Sequence, residues 1–150
     1  MACGFFPQEG EDLGERMHNA MKKVLSSGYD VCILTGADMP GISEEHIESG
    51  FRALAEADVA LGPTMDGGYY LVGLKQPCRA LFEKQTYGVS TVFEATLAAA
   101  ERAGCRVEQA IPCGDVDTPE ELHALWEQCR GTASHTALCL GTIFAKVGRI

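Results

Sequence analysis

Apolar residues at Leu13, Met17, Ala20, Met21, Val24 and Leu25 recur at helical spacing, behind an Asp12 N-cap with Glu15 three residues on. The pattern predicts an amphipathic helix ended by Gly28, then a strand from Tyr29 to Thr35 and a second helix from about Ser43 to Ala55, with Ile47, Phe51 and Leu54 on one face. A further apolar run, Val59 to Leu61, passes through Gly62-Pro63-Thr64-Met65-Asp66-Gly67-Gly68 into the run Tyr69 to Leu74, so the glycines mark a loop or sharp reversal. A short helical piece follows near Arg79 to Glu83. A long helix is predicted from about Thr91 to Ala103, opened by the capping box Thr91-Val92-Phe93-Glu94 and closed by Gly104. Arg106 to Ile111 reads as a strand, and Thr118-Pro119-Glu120-Glu121 starts a helix reaching about Cys129. No element is assigned to the tail from Gly131 to Ile150.

Alternation of strands and helices favours an α/β fold with a mostly parallel sheet. The chain has 150 residues and 46% hydrophobic content, enough for one ordinary core, so a single domain over 1–130 followed by a tail over 131–150 is expected. A net charge of -9 argues against a duplex nucleic-acid binder, which needs a basic stripe to displace counterions. No run of about 18 apolar residues occurs and the first residues lack the pattern of a secretory signal, so a cytoplasmic protein without a membrane partner is expected. Seven widely spaced cysteines with no C-x-x-C disfavour zinc and a disulfide framework and read as thiols in a reducing compartment.

Two acidic turns follow strand-like runs: Thr35-Gly36-Ala37-Asp38-Met39-Pro40 and Gly114-Asp115-Val116-Asp117-Thr118-Pro119. In open parallel sheets ligands bind beyond the carboxyl ends of strands, so carboxylates placed there can share a metal ion. The pair suggests a Mg²⁺ site for a phosphorylated substrate. Asp38 has the alternative role of a turn former before Pro40, while Gly36 lets a ligand approach the backbone. The helix cap after Asp117 is complete with Thr118, Pro119 and Glu121, so it does not need Asp117; Asp115 is the weaker candidate. Asp66-Gly67-Gly68 is either a reversal with glycines at positive φ, or a loop where a sugar or phosphate lies against the backbone and Asp66 accepts a proton or a hydrogen bond. Of Tyr69 and Tyr70, on opposite faces of an extended chain, one is expected in the core and the other at the site. His18, His46, His123 and His135 show no ligand spacing and read as surface residues; neither a nucleophile elbow nor a P-loop is present.

Four segments occur in an order that carries a resemblance: Gln8 to Met17, Gly36 to Gly41, Leu61-Gly62-Pro63 with Asp66 to Leu74, and Asp115 to Leu122. Over about Pro7 to Cys129 the chain resembles the GT-A-like transferases associated with radical-SAM and selenium-domain gene neighbourhoods, within the nucleotide-diphospho-sugar transferase superfamily. The resemblance implies a Rossmann-like GT-A three-layer sandwich that binds a nucleotide or nucleotide sugar with Mg²⁺ or Mn²⁺. It puts Asp38 and Asp117 at the two metal positions and Asp12, Leu13 and Gly14 near the nucleobase. Arg16 is left between a phosphate partner and a solvated helix residue. The metal would neutralise the pyrophosphate leaving group while an acceptor oxygen attacks phosphorus or the anomeric carbon.

Members of that family begin with a strand and a glycine-containing, basic phosphate loop, and neither precedes Pro7 here. The expectation is an N-terminally truncated version that is weak in catalysis, inactive, or reliant on self-association to cover apolar surface at Val31 to Leu34. Three readings follow: a metal-dependent nucleotidyl- or glycosyltransferase, a non-catalytic nucleotide-binding or oligomeric module, and a thiol-based redox or metal protein.

Overall fold

The computed structural model describes residues 4–114 and 116–147, so Cys3 and Asp115 lie outside the described residues. The chain divides into two units, one of residues 4–37 and 42–113, the other of 38–41 with the described part of 114–147.

In the first unit α1 spans Leu13–Ser26, and its cap is the expected one: the Glu15 amide donates to Asp12 Oδ1 at 2.8 Å and the Glu11 amide to Glu15 Oε2 at 2.9 Å. The strand β1 covers Cys32–Thr35, α2 Glu44–Glu56, β2 Val59–Pro63 and β3 Tyr69–Leu74. A 3₁₀ turn at Arg79–Leu81 leads to α3, Val92–Arg102, and β4, Val107–Gln109. Cys32, Val59, Leu61, Val72 and Leu74 alternate onto one sheet face and pack with Met17 and Met21 of α1, Leu81, Phe82, and Phe93 and Ala100 of α3. On the other face Gly50 of α2 approaches Ile33 and Leu71, and Gly73 approaches Leu54, so bare glycines let α2 lie close to the strands. Each fully buried Leu or Met contributes about 1.5–3 kcal/mol of transfer free energy.

The sheet is mixed, with order β1-β3-β2-β4. Among the four described strands only β2 and β4 pair in parallel, while β3 runs antiparallel to both neighbours, which corrects the expected mostly parallel sheet. The cause is local. Residues 64–68 join β2 to β3, and the Thr64 amide donates to the Gly68 carbonyl at 3.1 Å, closing a reversal. A parallel partner would need a crossover of about a dozen residues. The crossovers through α2 and α3 leave β1, β2 and β4 sharing one direction.

Several local expectations change. Gly28 sits at φ +96 and Tyr29 is exposed, so the first strand begins at Cys32 rather than Tyr29. Thr91 makes no side-chain cap at φ -108 and ψ 1; the orphan amide of Phe93 is met instead by the Gly67 carbonyl at 3.1 Å. His18 is buried rather than on the surface, because Gly14, Met17, His18 and Met21 form the inward stripe of α1 while Leu13 faces outward.

The second unit contains α4, Pro119–Cys129, and α5, His135–Val147. The Thr118 hydroxyl accepts from the Glu121 amide at 3.2 Å, and Glu121 Oε2 accepts from the amides of Asp117 and Thr118, both at 2.9 Å. Within the tail left unassigned from sequence, His135–Val147 is helical as α5. Ser134 Oγ accepts from the Ala137 amide at 3.1 Å, and Phe144 stacks on Trp126 of α4 at 5.7 Å between ring centroids. Met39, Ala137 and Leu140 are buried.

Candidate functional site

Asp38 and Asp117, separated by 79 positions in sequence, fall in the same unit, since the turn 38–41 groups with the segment after 113 and not with the strand that precedes it. Both aspartates are exposed, and neither carboxylate has a hydrogen bond or ion pair among the described residues. The Asp117 main chain is fixed through its amide to Glu121, leaving the side chain free of the cap. Backbone and hydroxyl donors hold the Glu121 carboxyl below the usual carboxylate range, those of Asp117 first. Among the described residues no group of three or more His, Cys, Asp or Glu side chains converges as a metal cage.

In the first unit the Asp66 loop is held by its own hydrogen bonds. Asp66 Oδ1 accepts from the Thr64 hydroxyl and from the Gly68 amide at 3.0 Å, and these donors hold its carboxyl below the ordinary range. Gly67 adopts φ +87, and a Cβ there would lie 2.0 Å from the Ser90 carbonyl oxygen. Gly68 would bring a Cβ to 2.8 Å from Thr64 Oγ1. Both glycines therefore have a packing reason to be there. Both of these bonds to the Asp66 side chain end on Oδ1, and the depressed pKa makes the carboxylate a hydrogen-bond acceptor rather than a strong base.

Gly36 is exposed just beyond β1, with its amide donating to the Tyr70 carbonyl at 3.1 Å. The tyrosine expectation is corrected: both rings turn inward. Tyr70 is buried and donates to the Ile111 carbonyl at 3.0 Å, lying across Gly62, where a Cβ would meet its ring at 2.4 Å. Tyr69 packs on the opposite core beside Tyr87, and burial pushes both phenols up.

Asp12 and Gly14 line a cleft of about 280 Å³ together with Glu15, His18, Arg79 and Lys84. Leu13 is exposed beside it. Asp12 is engaged as the helix cap, and a Cβ at Gly14 would lie 2.4 Å from the Phe82 carbonyl oxygen, so each has a structural task of its own. Arg16 is turned to the Gly10 carbonyl at 3.0 Å through Nε. His18, Arg79 and Lys84 were not singled out from sequence. The available signal for His18 was its place at i+4 from Gly14 and i+1 from Met17; Lys84 adopts φ 59, for which its sequence gives no cue. His18 Nδ1 is buried without a partner, and burial, then Lys22 and Arg79, push its pKa down. A larger groove of about 590 Å³ on α4 and α5, lined by Trp126, Leu138 and Gly141, contains none of the expected site residues.

The fold matches that of a nucleotide-sugar transferase. The crystal structure of a "putative nucleotide-diphospho-sugar transferase" from Desulfovibrio desulfuricans G20 superposes with a TM-score of 0.80 at 34% identity, covering 93% of this chain and 62% of that one. The family model described as "Uncharacterized protein conserved in bacteria (DUF2064)" matches residues 2–89, and the chain belongs to that family. Two curated relatives are 2-phospho-L-lactate guanylyltransferases. That of Methanopyrus kandleri is 37% identical over 92 residues, 59% of this chain and 46% of the relative. That of Methanosarcina mazei is 24% identical over 135 residues, 89% of this chain and 63% of the relative. The chain thus spans less than two thirds of the length of each. No helix among the described residues is long and apolar enough to cross a membrane.

Proposed function

We propose that the protein acts in metal-dependent nucleotidyl transfer, binding a nucleoside triphosphate through a Mg²⁺ or Mn²⁺ ion held by Asp38 and Asp117. The observation that carries this reading is the grouping of those two exposed, unpartnered carboxylates in one unit despite their distance in sequence. The donor set fits the ion: Mg²⁺ is characteristically bound by one or two carboxylates and completes its octahedron with substrate phosphate and water, so a three-residue cage is not required. When bound, the ion neutralises charge on the pyrophosphate leaving group.

The chain's own contributions are separate. Asp38 and Asp117 supply hard oxygen donors. Within the first unit, Asp66 Oδ2 accepts a hydrogen bond from a ligand hydroxyl and Gly36 leaves the backbone beyond β1 open, while Gly67 and Gly68 hold the loop in shape. Asp12, Leu13 and Gly14, in the first unit, are the residues proposed to contact a nucleobase. The two guanylyltransferase relatives favour GTP as donor. The Desulfovibrio neighbour favours a second reading, in which the donor is a nucleotide sugar.

Calorimetric titration of GTP, CTP and UDP-sugars with Mn²⁺ or with chelator tests the proposal. GTP binding that needs the ion and is lost in Asp38→Ala and Asp117→Ala supports it. Binding of UDP-sugar alone transfers the case to the second reading, and binding of no nucleotide overturns both.

A further inference from the structure

Cys78 stands just before the 3₁₀ turn, and Cys105 follows Gly104, the left-handed residue after α3. The Cys105 thiol donates to the Cys78 sulfur across 3.9 Å, although the two are 27 positions apart in sequence. Both are half-buried against the same core cluster, within reach of a small solute. Bonded sulfurs lie about 2.05 Å apart, so pairing requires the two side chains to rotate toward one another. Among the described residues no third ligand joins them to make a metal site.

We infer that Cys78 and Cys105 form a reversible disulfide on meeting a low-molecular-weight disulfide, locking the chain segment that supports the Asp66 loop. That segment contains Ser90, whose carbonyl crowds Gly67, and Phe93, whose amide binds the Gly67 carbonyl at 3.1 Å. Burial, the adjacent Cys78 sulfur and the Asp58 carboxylate hold the Cys105 proton more tightly than in an ordinary thiol. One of the two cysteines, as its thiolate, attacks one sulfur of the oxidant and releases its first half as a thiol. The other then loses its proton and attacks the protein sulfur of the mixed disulfide, expelling the second half as a thiol. Two protein thiols are oxidised by two electrons, and one small disulfide is reduced to two thiols.

The test equilibrates the protein with oxidised glutathione, native and in guanidinium, followed by non-reducing peptide mass spectrometry. The expected result is a peptide joined through Cys78 and Cys105, formed at least about tenfold more readily in the native protein because the fold supplies the effective concentration. Cys78→Ser and Cys105→Ser should each abolish it, and the oxidised wild type should melt about 5 °C higher, reversed by dithiothreitol. Equal yield in guanidinium, or mixed disulfides alone at these two residues, would overturn the pairing; a cross-link that leaves the melting temperature unchanged would overturn the lock.

Discussion

The Phe93 amide donates to the Gly67 carbonyl at 3.1 Å, so the first turn of α3 holds the loop that presents Asp66. Gly67 reaches that carbonyl position only at φ +87, with the Ser90 carbonyl oxygen where a side chain would begin. Gly67→Ala is therefore expected to cost at least about 2 kcal/mol, combining left-handed strain with a main-chain clash. Urea unfolding measures it, and a change below about 0.5 kcal/mol would contradict the contact.

Gly14→Ala separates local propensity from packing. Alanine in a helix is favoured over glycine by about 1 kcal/mol, so a purely local account predicts stabilisation. The Phe82 carbonyl oxygen 2.4 Å from the added Cβ predicts the opposite sign, a loss of about 1–3 kcal/mol.

His18 makes stability depend on pH. Its folded pKa lies below the ordinary 6.5 because burial disfavours the cation, so between the two values the unfolded chain binds more protons. Stability should fall as pH drops from 7 through 6.5 to the folded pKa and stop falling from this cause below it. His18→Leu also removes the unpartnered Nδ1 and should flatten that part of the curve. Melting temperatures of both proteins across this range check it; parallel curves would count against the assignment.

Asp66 has the opposite dependence. Its carboxyl is held low by the Thr64 hydroxyl and the Gly68 amide, so its contribution is present above pH 3.8 and disappears as pH falls through the lower folded value. Asp66→Ala should cost about 1 kcal/mol or less at pH 7, since the loop is exposed and its hydrogen bonds compete with water. Chemical unfolding at pH 7 and at low pH should show that difference shrink.

Elements marked by period and caps were legible in the sequence. Asp12 with Glu15 and Thr118 with Glu121 predicted two helix starts at the observed hydrogen bonds, because these caps are local. The direction of β3 was less legible, since it depends on the closing of residues 64–68. Thr91 carried the letters of a cap but lost the role to the distant Gly67 carbonyl, and His18 carried the letters of a surface residue but fell on the inward stripe. For the proposed cation site, Asp38 and Asp117 stand out in the sequence because each follows an apolar run; the cleft with Arg79 and Lys84 does not, because it arises from packing of α1 against the 3₁₀ turn.

The most direct test of the proposed cation site is paramagnetic resonance of Mn²⁺ titrated into the protein with GTP present, for the wild type, Asp38→Asn and Asp117→Asn. The expected result is bound Mn²⁺ in the wild type and an affinity at least about tenfold weaker in each variant, as loss of a charged oxygen ligand requires. Equal Mn²⁺ affinity in all three proteins would contradict it.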